Sequence, residues 1–124
     1  MGATSIVDIS SDYDRPAQLR ELESALRELV AFLEREGAYL AWVPALTANL
    51  GECERLLART FTQDDLTALS RSFEPFVETF REWTPPRMRD AAGNLVEPAW
   101  VEGLLPLHER ARRAAFALRV LGEY

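Results

Sequence analysis

Residues 19–33 read LRELESALRELVAFL, and this stretch decides the fold class. Its leucines recur at alternating intervals of three and four residues, and half of the positions between them are charged. An α-helix places such residues on one face, so the pattern predicts an amphipathic helix with a continuous apolar seam. The seam consists of Leu19, Leu22, Leu26, Leu29 and Leu33. Other helices are needed to cover it, which favours an all-α fold.

The ends of this first helix are also marked in the sequence. Asp14 offers a carboxylate to the unpaired amides of the first turn, and Pro16 fits there because it has no amide hydrogen to leave unpaired. Gly37 follows the seam, as glycine often does where a helix ends in a left-handed conformation. The first helix is therefore predicted over residues 15–36.

Three further helices are predicted from the same kind of periodicity, over residues 44–60, 63–82 and 98–121. Short connections require neighbouring helices to run antiparallel. We therefore expect an all-α fold in which an up-down antiparallel four-helix bundle forms a single domain over residues 1–124. Residues 1–13 are expected to form a loosely ordered N-terminal arm or an arm that packs on a partner chain.

Two prolines fall inside the predicted helices. Pro75 is expected to kink the third helix or to sit early in a new turn that Ser72 caps. Pro106 is expected to divide the last helix into a short segment and a long one.

A long connection over residues 84–97 precedes the last helix. It begins with two consecutive prolines, which cannot continue a helix, and residues 90–94 have the composition of a turn. Arg87–Arg89 and Leu95–Glu97 are predicted to pair as a small β-hairpin around that turn. Long connections in compact domains often carry function, which makes this one a candidate binding surface.

The composition excludes several classes of function. The chain has 124 residues and no lysine, so it lacks a Schiff-base lysine and the lysine of a phosphate-binding loop. One histidine and one cysteine are too few ligands for a structural zinc site within one chain. The formal net charge of −6 disfavours nucleic-acid binding, because attraction to phosphate supplies most of that affinity. We therefore expect no metal, no cofactor and no nucleic-acid partner.

The protein is expected to be cytoplasmic and to have no membrane partner. The first residues lack the features of a signal peptide, and no stretch approaches the roughly 18 apolar residues of a membrane span. A single cysteine cannot form a disulfide within the chain, which fits a reducing compartment. The use of arginine without lysine indicates a GC-rich coding genome and favours a bacterial source.

His108 and Cys53 are the candidate catalytic side chains. His108 titrates near neutral pH and is interpreted as a partly buried histidine, with a general base, a phosphoacceptor or a single metal ligand as the other roles. Cys53 falls on the seam of the second helix and is interpreted as a core thiol, with a Cys53–His108 dyad as the alternative. The glutamates are interpreted as a solvated face rather than a di-metal site, because they lie mostly off the seams. They are Glu21, Glu28, Glu52, Glu78 and Glu82.

Arginines and tryptophans supply the remaining candidates. The arginines of the last helix are predicted to face the acid-rich first helix, within the chain or across a dimer, with phosphate or an acidic partner as the alternative. These arginines are Arg110, Arg112, Arg113 and Arg119. The tryptophans are interpreted as capping one end of the bundle, or as lining a pocket or a partner site. The candidate binding residues are Trp42, Trp83, Arg87, Trp100, His108 and Arg112.

These observations favour a small cytosolic interaction or regulatory protein with no catalytic activity of its own. It would bind a protein partner through a helical face and residues 84–100. Its leucine seam, together with exposed aromatic side chains, adds the expectation of a homodimer. The alternative is a bundle that binds a small ligand or cofactor in a pocket beside the tryptophans, with His108 as the polar anchor. A third hypothesis is an enzyme that uses His108 together with a carboxylate.

Overall fold

The computed structural model describes residues 14–76 and 84–119, and this part of the chain is mostly helical. In chain order the elements are α1 (Arg15–Glu36), a 3₁₀ turn (Leu40–Trp42), α2 (Val43–Leu57), α3 (Gln63–Ser72), β1 (Met88–Arg89), β2 (Leu95–Val96) and α4 (Trp100–Ala117). The all-α class is confirmed, because β-structure in the described residues is limited to two strands of two residues. The predicted N-terminal arm, residues 1–13, lies outside the described residues.

The predicted bounds of α1 are confirmed. The Asp14 side chain accepts a hydrogen bond from the Ala17 amide at 3.1 Å, which satisfies one of the unpaired amides of the first turn. At the other end Gly37 adopts φ 63°, a left-handed conformation that residues with a side chain rarely adopt. Both end signals of α1 act within a few residues, and for that reason the helix bounds could be predicted from the sequence.

The third helix is shorter than predicted. It begins as expected, because Thr62 accepts from the Asp65 amide while the Asp65 carboxylate accepts from the Thr62 amide. It ends at Ser72, a turn follows at Phe73, and helical conformation resumes at Glu74. Pro75 therefore sits early in a new helical segment, where its missing amide hydrogen costs no hydrogen bond. A continuous helix over 63–82 is wrong for its described part, and residues 77–82 lie outside the described chain.

The division of the last helix at Pro106 is also wrong. α4 runs without interruption from Trp100 to Ala117 and contains Pro106. Pro106 and Glu102, whose carbonyl loses its amide partner, are both exposed, so water can replace the missing hydrogen bond. Buried residues continue on either side of the proline, and their packing holds the helix together. The buried face of α4 comprises Val101, Leu104, His108, Ala111, Ala114 and Ala115.

The core is built around α1, which packs against both α2 and α4. All five seam leucines of α1 are at most 1% exposed, so the seam prediction is confirmed. Arg15 at the start of α1 donates to the Ala117 carbonyl at the end of α4. Phe32, near the end of α1, faces Gly103 near the start of α4. These two helices therefore run in opposite directions.

The predicted hairpin is confirmed and directly precedes α4. Met88 pairs with Val96, and Arg89 pairs with Leu95, in antiparallel register. The Asp90 carboxylate accepts hydrogen bonds from the amides of Ala92 and Asn94, each at 2.9 Å. The Asp90 amide also donates to the Asn94 carbonyl, and Gly93 takes φ 88° in the turn. The turn is consequently held by its own side chain and backbone.

Candidate interaction site

Aromatic side chains gather toward the end of the molecule where α1 finishes and α4 begins. Tyr39 stacks on Trp42 with ring centroids 4.3 Å apart and an interplanar angle of 8°. Trp100 meets Tyr39 edge-on at 5.6 Å, and Phe76 meets Trp42 edge-on at 5.0 Å. Offset and edge-on arrangements of this kind are favourable for aromatic rings. We call the following set the aromatic cluster: Tyr39, Trp42, Phe73, Phe76, Trp100 and His108.

The cluster brings together some of the predicted binding residues and not others. Trp42 and Trp100 both contact Tyr39, so two of the three tryptophans share one packed group. Trp83 lies outside the described residues. Arg87 is exposed and lies in the connection that leads into β1.

His108 belongs to the closed packing of the aromatic cluster. It is 7% exposed, and its ring centroid lies 5.0 Å from that of Phe76. Burial lowers the pKa of His108 from its ordinary value of 6.5 to about 4, while Glu109 raises that pKa and Arg112 lowers it. The imidazole is therefore neutral at pH 7. This surrounding favours the interpretation of His108 as a structural residue over that of a proton carrier at neutral pH.

Cys53 is completely buried in the core on α2. Burial, together with the neighbouring carboxylates Glu23 and Glu52, raises the pKa of its thiol to about 12. A nucleophilic cysteine needs a thiolate, and the thiolate is disfavoured at this position. The position supports the interpretation as a core thiol.

The arginines predicted for the last helix pair with three separate groups of side chains, and Arg119 lies just after the end of α4. Arg110 faces α1 as predicted, donating to Glu21 at 2.7 Å and to Glu28 at 2.6 Å. The pKa of Glu21 is lowered mainly by this hydrogen bond. Arg112 instead pairs with Glu109 on its own helix. Arg119, whose side chain is only 6% exposed, donates to Ser70 and Glu74 and therefore joins α4 to the α3 region.

A groove of about 500 Å³ lies between α1 and α4. It is lined by Glu21, Pro106, Glu109, Arg110, Arg113, Ala114 and Ala117. A second cleft, near Arg119 and Phe116, is too narrow to admit a water molecule. Neither space is lined by a tryptophan or by His108, so the predicted ligand pocket beside the tryptophans has no counterpart in these two spaces.

The hairpin exposes apolar side chains that the sequence did not single out. Met88 is 52% exposed, Leu95 is 55% exposed and Val96 is 37% exposed. Consecutive residues of a strand point to opposite faces, so Leu95 and Val96 expose one face of the hairpin each. We call Met88, Leu95 and Val96 the hairpin surface. Two other exposed leucines, Leu40 and Leu105, lie on elements at the same end of the molecule.

The sequence contained only a weak signal for this surface. The Asp90–Asn94 turn predicted a hairpin, but a strand of two residues is too short to show alternation between an apolar and a polar face. The exposure of the hairpin surface depends on how the hairpin is oriented relative to the helices, which is a property of the tertiary structure.

Comparison with known proteins does not indicate a function for this chain. The chain matches no protein-family model, and no curated protein or solved structure is significantly similar to it. Within residues 14–76 and 84–119, no group of three or more His, Cys, Asp or Glu side chains is placed to hold a metal ion. No helix in the described part of the chain is both long enough and apolar enough to cross a bilayer.

Proposed function

We propose that this protein is a helical interaction module that binds a partner protein through the hairpin surface. The observation that carries the proposal is the exposure of Met88, Leu95 and Val96 on both faces of one short hairpin. Apolar side chains grouped on a soluble surface commonly mark sites of protein association, because association removes them from water.

The construction of the hairpin supports a binding role. The Asp90 carboxylate accepts two amide hydrogen bonds within the turn, and Arg89 donates to the Gly93 carbonyl at 2.7 Å. These bonds hold the turn in one conformation before a partner arrives. A preorganised surface loses less conformational entropy on binding, so more of the contact free energy appears as affinity.

The surroundings of the two candidate catalytic side chains also support a non-catalytic role. His108 is neutral and lies in the aromatic cluster, and Cys53 is a buried thiol on α2. An interaction or regulatory protein with a cytoplasmic location remains the function we propose. The leucine seam of α1, from which a homodimer was expected, is buried within the chain, so for a homodimer we propose the hairpin surface as the contact instead.

We further propose that the helices form an up-down antiparallel bundle. The opposite directions of α1 and α4 support it. So does the hydrogen bond from Ser72 at the end of α3 to Asn49 in α2, at 3.1 Å. Gln63, at the start of α3, donates to the Leu118 carbonyl just after α4, at 2.8 Å. Nuclear Overhauser contacts between these side chains in an assigned spectrum would test the arrangement, and their absence would contradict it.

The proposed interaction is tested by placing charge on the hairpin surface. Leu95→Glu combined with Val96→Glu should abolish capture of the partner from extracts of the source cells, because it makes both hairpin faces polar. Ala48→Glu, an exposed position on α2, is the matched control and should retain capture. Thermal unfolding of all the variants establishes that each remains folded.

Two results would contradict the proposal. One is equal capture by the wild type and by the hairpin variant. The other is a bound small molecule, seen in native mass spectrometry as mass that is lost on denaturation, because it would favour the ligand-binding alternative. Native mass spectra also separate the two forms of the proposal, since a dimer that the hairpin variant cannot form would identify the partner as a second copy.

A further inference from the structure

We draw no further inference here: the strongest candidate, the groove of about 500 Å³ between α1 and α4, is lined by glutamate and arginine side chains that already pair with one another, and nothing in the structure shows what covers it.

Discussion

The packing of α1 against α4 can be tested at a single glycine, Gly103. A Cβ atom built at this position would lie 2.9 Å from Cε2 and 3.1 Å from Cζ of Phe32. These distances are shorter than ordinary carbon contacts, so the ring would have to move. Phe32 is 7% exposed, and the Arg35 guanidinium lies 5.2 Å from its ring centroid, so the ring has little space to move into.

Two opposing effects set the expected magnitude for Gly103→Ala. Alanine is favoured over glycine inside a helix by about 0.5–1 kcal/mol. Forcing extra volume into a packed core costs about 1–3 kcal/mol. We therefore expect Gly103→Ala to lower the free energy of unfolding by about 1 kcal/mol, with the steric cost exceeding the helix propensity.

Gly51 provides the matched control for this experiment. It lies within α2, and a Cβ atom there would meet nothing within 4 Å. Gly51→Ala should therefore raise the free energy of unfolding by about 0.5–1 kcal/mol. Urea denaturation followed by far-ultraviolet circular dichroism measures both variants. A difference of about 2 kcal/mol corresponds to midpoints separated by about 1 M urea for a typical slope of about 2 kcal/mol/M.

The outcome that refutes the reasoning is a Gly103→Ala variant as stable as Gly51→Ala. A second background makes the cause specific. When Phe32→Leu removes the ring, Gly103→Ala should become stabilising, because its Cβ no longer meets aromatic carbons. A double-mutant cycle with no coupling between the two positions would show that Phe32 does not limit the close approach of α1 and α4.

Three further predictions concern the core, an ion-pair network and the response to pH. Leu26→Ala should lower the free energy of unfolding by about 2–5 kcal/mol, because Leu26 is fully buried, and a loss below about 0.5 kcal/mol in urea denaturation would contradict its place in the core. Arg110→Ala should lower the free energy of unfolding by about 1 kcal/mol at low ionic strength and by less in 1 M salt. Arg113→Ala is the control and should cost almost nothing, because the Arg113 side chain is 76% exposed. Equal losses of stability in the two variants would contradict the network between Arg110 and α1. Because the pKa of His108 falls from 6.5 to about 4 on folding, the unfolded chain binds the proton first. The contribution of neutral His108 to the free energy of unfolding is therefore complete above pH 6.5. It is lost as the pH drops toward 4, by up to about 3 kcal/mol. Unfolding measured between pH 7 and pH 4 should show a smaller decline for His108→Gln, and an unchanged decline would refute the assignment.

Local signals in the sequence were sufficient to predict much of the fold. The Asp14 side chain and Gly37 define the bounds of α1, and the Thr62 side chain defines the start of α3. Each acts through hydrogen bonds or backbone conformation within a few residues, so these helix ends can be predicted from the local sequence alone. The Asp90 turn predicted the hairpin for the same reason.

The effect of Pro106 could not be predicted from the sequence, because it depends on what surrounds the helix. Pro75 sits early in a new helical segment, which is one of its two predicted outcomes, whereas α4 stays continuous through Pro106. At Pro106 the lost hydrogen bond faces water, because Pro106 and Glu102 are both exposed, and buried residues on either side of the proline hold the helix together. Only tertiary packing distinguishes these two cases.

The charge pairing could be predicted only in part: Arg110 faces α1 as expected, but the partners of Arg112 and Arg119 could not be predicted. Arg110, Arg112 and Arg119 belong to one arginine-rich stretch, but the structure pairs them with α1, with α4 itself and with the α3 region. Two residues along an α-helix correspond to about 200° of rotation, so Arg110 and Arg112 lie on nearly opposite faces of α4, and the neighbours of each face are set by the fold. The exposure of the hairpin surface follows from the fold in the same way.

The hydrogen bonds of Arg15 have a consequence for how the chain can be reconnected. Arg15 donates to the carbonyl groups of Ala117 and Arg119, so the described chain enters and leaves the helical body at neighbouring points. The 22 residues of α1 extend about 33 Å from these points toward the hairpin end. A circular permutant that joins the chain near Arg119 to the chain near Arg15 and opens it between α2 and α3 should therefore retain the fold.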